Sequence, residues 1–234
     1  MVVLYIIISF LVFGFLGRAL STDLASESGI VVFFSMLLFF MGGIWCYPLL
    51  KERDEAFLLL SVINQLSCSA FMFGVDRSFF SQGSTQWKQV TTIVVAVFFG
   101  IFSVIGSTIW VSLLIWLGIE HDAQEMVFLL TTGDRKIQIG TIVFVVLIAP
   151  FVEEILFRNL LLSSFMEKMS TNSAILSTAA IFGFMHLESW TSVPPLIVFG
   201  IILGVLRIHY KSIIPSIIAH VVNNSIVVLS LFYL

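Results

Sequence analysis

Long apolar runs separated by short polar clusters dominate the chain. They predict about eight membrane-spanning helices, over 2–17, 29–50, 56–75, 90–117, 137–165, 173–187, 192–207 and 212–233. A crossing helix needs about 20 residues, so these boundaries carry several residues of tolerance. The first run lacks a positively charged leader and reads as an uncleaved helix rather than a signal peptide. Run 137–165 exceeds one straight crossing and contains Pro150, which predicts a tilted or kinked helix, or a helix pair. The stretch 76–89 reads as an interfacial loop, and 118–136 as the main extramembrane connection. No repeat or long linker interrupts the pattern. The expected fold class is all-α, a polytopic transmembrane bundle forming one domain over 1–234. Within it, 1–136 supplies N-terminal helices and loops, and 137–234 the helices that hold the polar residues.

Composition sharpens that reading. Of the 234 residues, 59% are hydrophobic and only 11% charged, against about 25% charged in an ordinary soluble domain. A soluble globule could not hide so much apolar side chain. A net charge of −3 offers no basic footprint for nucleic acid. The chain is therefore read as a multi-pass integral membrane protein. Cys46 and Cys68 lie in apolar segments without metal spacing and read as small buried side chains. Trp45, Trp87, Trp110, Trp116 and Trp190 fall mostly near span ends, where interface anchors sit. Gly200 and Gly204 form a small-xxx-small pair suited to close helix contact.

In such a chain the informative residues are ionisable groups at membrane depth, each costly unless paired or placed in a wet cavity. They cluster in the second half: Glu153, Glu154 and Arg158; then His186; then His220, Asn223 and Asn224. On a helix, Glu154 and Arg158 are four apart and share a face, which predicts an ion pair. Glu153 lies about 140° around from Arg158 at ~100° per residue and is left facing elsewhere. A carboxylate so placed suits a group that accepts and returns protons; its bland alternative is a hydrated residue at the interface. Phe182 and His186 stand one turn apart, so the ring can wall a pocket holding the imidazole. His220 and Asn224 are again four apart and can present an imidazole N–H and an amide NH2 to one point, as an oxyanion requires. A polar seam joining helices is the alternative for that pair.

At these residues the sequence resembles the CPBP (Abi) family of intramembrane proteases, which includes the type II CAAX prenyl endopeptidases. The family pattern is Glu-Glu-x-x-x-Arg, then Phe-x-x-x-His, then His-x-x-x-Asn. Glu153, Glu154 and Arg158 match the first element, Phe182 and His186 the second, and His220 and Asn224 the third. The resemblance covers about 137–234 and implies some eight helices around a polar cavity that holds a hydrolytic water. It implies that Glu153 is the general base, His186 its partner in holding the water, and His220 with Asn224 the oxyanion hole. Glu154, Arg158 and Phe182 are then structural or substrate-orienting. The implied partners are the bilayer and a peptide or membrane-protein substrate, and the short loops resemble prokaryotic cell-membrane members.

No cofactor is expected. The chain lacks His-Glu-x-x-His, whose histidines form a zinc face, and an asparagine amide is a poor zinc ligand. Zinc held by Glu153, His186 and His220 is the alternative. Two rival functions stand beside the protease: a non-proteolytic scaffold, immunity or regulatory protein of the same family, and a proton-coupled transporter. The transporter expects polar residues in both halves, whereas here they concentrate in the second.

Overall fold

The computed structural model describes residues 88–121 and 125–233. The predicted runs 2–17, 29–50 and 56–75, nearly all of the 76–89 loop, both cysteines, Trp45 and Trp87 lie outside the described residues. Among the described residues every regular element is helical. The helices are α1 (Val90–Trp116), α2 (Glu125–Thr132), α3 (Arg135–Met166), α4 (Thr171–Phe184), α5 (Val193–Tyr210) and α6 (Ile214–Tyr233). A short 3₁₀ segment, Leu187–Ser192, joins α4 to α5 and is interrupted at Ser189. Four segments are long and apolar enough to cross a membrane: Val90–Trp116, Arg135–Met166, Ser189–Tyr210 and Ile214–Phe232. Helix α4, at 14 residues, is shorter than a usual crossing. The connection expected at 118–136 contains the eight-residue helix α2.

Helix α1 shows why these segments need lipid. Apart from Leu114 near its end, its buried positions are small, namely Thr92, Ala96, Gly100 and Ser103, while Val94, Phe98, Phe102, Ile105 and Ile109 are exposed. A soluble helix does the opposite; small residues inside and large ones outside is the arrangement of helices packed within a bilayer. The small stripe lies against α6. A Cβ on Gly100 would stand 2.6 Å from the Ala219 carbonyl oxygen and 2.9 Å from Val222 Cβ, so only glycine permits this approach. The predicted pair Gly200 and Gly204 does the same for α5 on α4, facing Ala179 and Ile175 respectively. Ser216 on α6 donates to the Leu203 carbonyl at 2.9 Å, tying α6 to α5.

Local signals set the helix ends. Gly118, with φ +71°, closes α1: its N–H bonds the Ile115 carbonyl and the Ile119 N–H bonds that of Leu114, a Schellman pattern. Asp134 caps α3 by accepting from the backbone N–H groups of Ile137 and Lys136, which hold its carboxyl below its ordinary pKa. Ser170 caps α4 through the Ser173 N–H.

Helix α3 is continuous across the run that contains Pro150, so the helix pair does not form. It widens instead into two π-helical stretches, Phe144–Ile148 and Glu154–Leu161, on either side of an α-helical turn from Ala149 to Glu153. Proline has no N–H and crowds the carbonyl four residues before it. A π register just upstream is a way to absorb both defects without ending the helix.

Candidate active site

Of the polar side chains singled out in the sequence, Glu153, Glu154 and Arg158 of α3 meet His220 of α6, His186 at the end of α4 is joined to them through the Phe182 ring, and Asn224 bonds the backbone of α3 at Val145. On α3 the predicted ion pair is present: Arg158 Nη1 lies 3.3 Å from Glu154 Oε1, with side chains 2% and 0% exposed. Arg158 is held from three further directions. Its Nη2 donates to the Gly200 carbonyl of α5 at 3.2 Å, and the guanidinium lies 4.5 Å from the Phe182 ring centroid and 5.8 Å from that of Phe157. A cation buried this way needs each of these partners.

Glu154 also receives His220. The His220 Nδ1–H donates to Glu154 Oε1 at 2.9 Å. The other imidazole nitrogen, Nε2, faces Glu153 Oε2 at 3.8 Å, within ion-pair range but beyond a hydrogen bond. His220 thus bridges the two adjacent glutamates. Phe199 and Phe182 wall its ring edge-to-face at 5.2 and 6.0 Å between centroids. Glu153 differs from its neighbour: its side chain is 20% exposed, and among the described residues no hydrogen bond clamps it.

His186 follows the last turn of α4. Its Nδ1 lies 2.9 Å from the Phe182 carbonyl oxygen. A carbonyl only accepts, so Nδ1 carries the hydrogen and the neutral ring keeps its lone pair on Nε2. The Phe182 and His186 rings are 5.2 Å apart, as their one-turn spacing predicted. Phe182 touches Phe157, Arg158, His186 and His220 and is the apolar hub of the cluster.

Asn224 lies one turn beyond His220 on α6. Its Nδ2 donates to the Val145 carbonyl of α3 at 2.9 Å, and its Oδ1 accepts from Asn223 Nδ2 at 3.0 Å. The two donors expected to meet at one point are therefore each partly engaged. The His220 Nδ1–H goes to Glu154 and one Asn224 N–H to Val145, leaving Nε2 of the histidine and the second amide N–H.

Among the described residues, no three His, Cys, Asp or Glu side chains group as metal ligands. Sequence reasoning missed Phe199, the Gly200 carbonyl and Ser103, which bonds Asn223 at 2.7 Å. None has a local signal: a phenylalanine, a glycine and a serine in apolar helices look alike whether or not they serve a site. Outside the cluster, Trp110 is more than an interface anchor. Its Nε1 donates to the Thr191 carbonyl at 2.7 Å, and His121 Nδ1 meets the Thr191 hydroxyl at 2.7 Å. Both thereby fasten the segment that follows His186.

Residues 135–226 match the family model described as type II CAAX prenyl endopeptidase Rce1-like. No curated protein and no solved structure matches the chain. The matched stretch supplies Glu153, Glu154, Arg158, His186, His220 and Asn224, in agreement with the resemblance that the three motifs suggested. Over residues 135–226 the chain is thus similar to the type II CAAX prenyl endopeptidase Rce1-like family.

Proposed function

We propose that the chain is an intramembrane endopeptidase that hydrolyses a peptide bond of a membrane-associated or lipidated peptide through a glutamate-activated water. The observation that carries this reading is the contrast between two adjacent carboxylates. Glu154 is fully buried, ion-paired with Arg158 and hydrogen-bonded to His220, whereas Glu153 is partly exposed beside His220 and, among the described residues, held by no hydrogen bond.

In this mechanism Glu153 takes a proton from water as the water oxygen attacks the scissile carbonyl carbon, and then returns it to the leaving nitrogen as the C–N bond breaks. The products are a carboxylic acid and an amine. His186, its Nδ1–H tied to the Phe182 carbonyl, offers the Nε2 lone pair to the water's other hydrogen. His220, with Nδ1 held by Glu154, offers Nε2 in its protonated form to the developing oxyanion, joined by the second N–H of Asn224. Glu154 and Arg158 orient His220 and touch no reacting atom. The scheme assigns no role to a metal: the group set beside His220 on α6 is the Asn224 amide, a poor zinc ligand.

The test is cleavage of a prenylated peptide by the purified chain in liposomes. Glu153→Gln keeps the shape and removes the base; turnover is expected to vanish while the protein stays folded. His220→Ala and Asn224→Ala are each expected to slow turnover by about 10²–10³-fold. Wild-type turnover by Glu153→Gln would reject the mechanism. Activity lost together with one tightly held zinc per chain, and restored by zinc, would replace it with a metalloprotease.

A further inference from the structure

A polar chain runs from α1 through Asn223 and Asn224 of α6 and ends at the Val145 carbonyl of α3. Ser103 Oγ lies 2.7 Å from Asn223 Oδ1, Asn223 Nδ2 lies 3.0 Å from Asn224 Oδ1, and Asn224 Nδ2 lies 2.9 Å from the Val145 carbonyl oxygen. Neighbouring side chains on a helix point about 100° apart and seldom meet, so the Asn223–Asn224 bond is a specific arrangement.

The direction of this chain is decided at its α3 end. Val145 O is a backbone carbonyl and can only accept, so Asn224 must turn its NH2 toward it. That leaves Asn224 Oδ1 facing Asn223, which must then supply its own NH2, leaving Asn223 Oδ1 toward Ser103. The serine hydroxyl closes the sequence by donating. It also lies 2.7 Å from the Gly100 carbonyl, so the two oxygens compete for one proton. Reversing Asn224 would set NH2 against NH2 and oxygen against the Val145 carbonyl, and reversing Asn223 would set oxygen against Asn224 Oδ1. Ser103 is buried, and the glycine one turn earlier brings α1 close enough to α6 for the contact.

We infer that Ser103 and Asn223 are positioning residues that lock the Asn224 carboxamide with its NH2 directed away from α1, making it a fixed hydrogen-bond donor for the reaction. This rests on the reading of Asn224 as an oxyanion donor. It extends the site to α1, outside the matched stretch 135–226. A freely rotating amide would spend part of its time presenting an oxygen to a developing negative charge. A locked donor is organised before the reaction begins.

The experiment is a double-mutant cycle on the full-length chain in liposomes, with a prenylated peptide and single-turnover rates at excess enzyme. Ser103→Cys preserves volume and removes the strong donor; Asn223→Ala breaks the next link. Each is expected to lower kcat roughly five- to ten-fold, the rate equivalent of about one hydrogen bond, with KM unchanged. In an Asn224→Ala background neither is expected to slow the reaction further. Unchanged kcat in both single variants, or the same loss with Asn224 already removed, would overturn the positioning role and leave the oxyanion reading intact. Wild-type turnover by Asn224→Ala would overturn the oxyanion reading itself, and this inference with it.

Discussion

Arg158 and Glu154 are buried at 2% and 0% exposure in the middle of a membrane-spanning helix, where a lone charge is expensive. Removing one partner strands the other, at a cost of about 3–5 kcal/mol in comparable buried pairs. Arg158→Met is therefore expected to lower the thermal unfolding temperature sharply in detergent. The double variant Glu154→Gln/Arg158→Met, which strands no charge, is expected to recover much of that loss. Equal unfolding temperatures for wild type and Arg158→Met would mean that the pair has no such weight. The Glu154–Arg158 pair was legible because residues four apart on one helix meet whatever the tertiary fold does. The bond from His220 to Glu154 was not, because 66 residues separate them and only the packing of α6 on α3 decides which carboxylate the imidazole meets. The same limit hid the contact from Asn224 to Val145, across 79 residues.

At the level of elements, close approach by glycine links packing to the site. Gly200 lies against Ala179, where a Cβ would sit 3.0 Å from both Ala179 Cα and Cβ, and its carbonyl accepts from Arg158. Gly200→Leu is expected to overpack this contact by about 1–3 kcal/mol, pushing α5 from α4 and withdrawing the carbonyl from the guanidinium. Lower unfolding temperature and lower turnover should appear together, with partial recovery when Ala179→Gly is added. Recovery of neither would place the strain elsewhere. The spacing of Gly200 and Gly204 announced a close contact, but could not name its partner helix. Periodicity likewise located α1, α3, α5 and α6 within a few residues. It did not reveal the π turns of α3, since a helix of 4.4 residues per turn has no distinctive apolar pattern over one or two turns. Pro150 flagged the defect, and the structure resolves it by widening rather than breaking the helix.

For the molecule as a whole, depth in the membrane constrains what the site can reach. Glu153 lies at most about 27 Å from Arg135 and about 20 Å from Met166 along α3, at the α-helical rise of ~1.5 Å per residue, which the two π stretches shorten. Both ends of α3 are polar, so the carboxylate falls well inside a hydrocarbon layer ~30 Å thick. A peptide dissolved in water must cross part of that layer to arrive, whereas a peptide on a lipid anchor is already concentrated there. Each buried methylene contributes about 0.8 kcal/mol to membrane partitioning. Lengthening the anchor of an otherwise constant peptide by two methylenes is therefore expected to lower the apparent KM roughly ten- to twenty-fold until partitioning saturates. Under the proposed mechanism kcat is expected to hold constant, because an anchor remote from the reacting atoms would bind equally in the ground and transition states. Steady-state kinetics on a series of anchors, with the peptide concentration expressed per total volume and then per lipid, separates the two quantities. If anchored and unanchored peptides were cleaved with equal KM, Glu153 would have to be reached from water rather than from the bilayer.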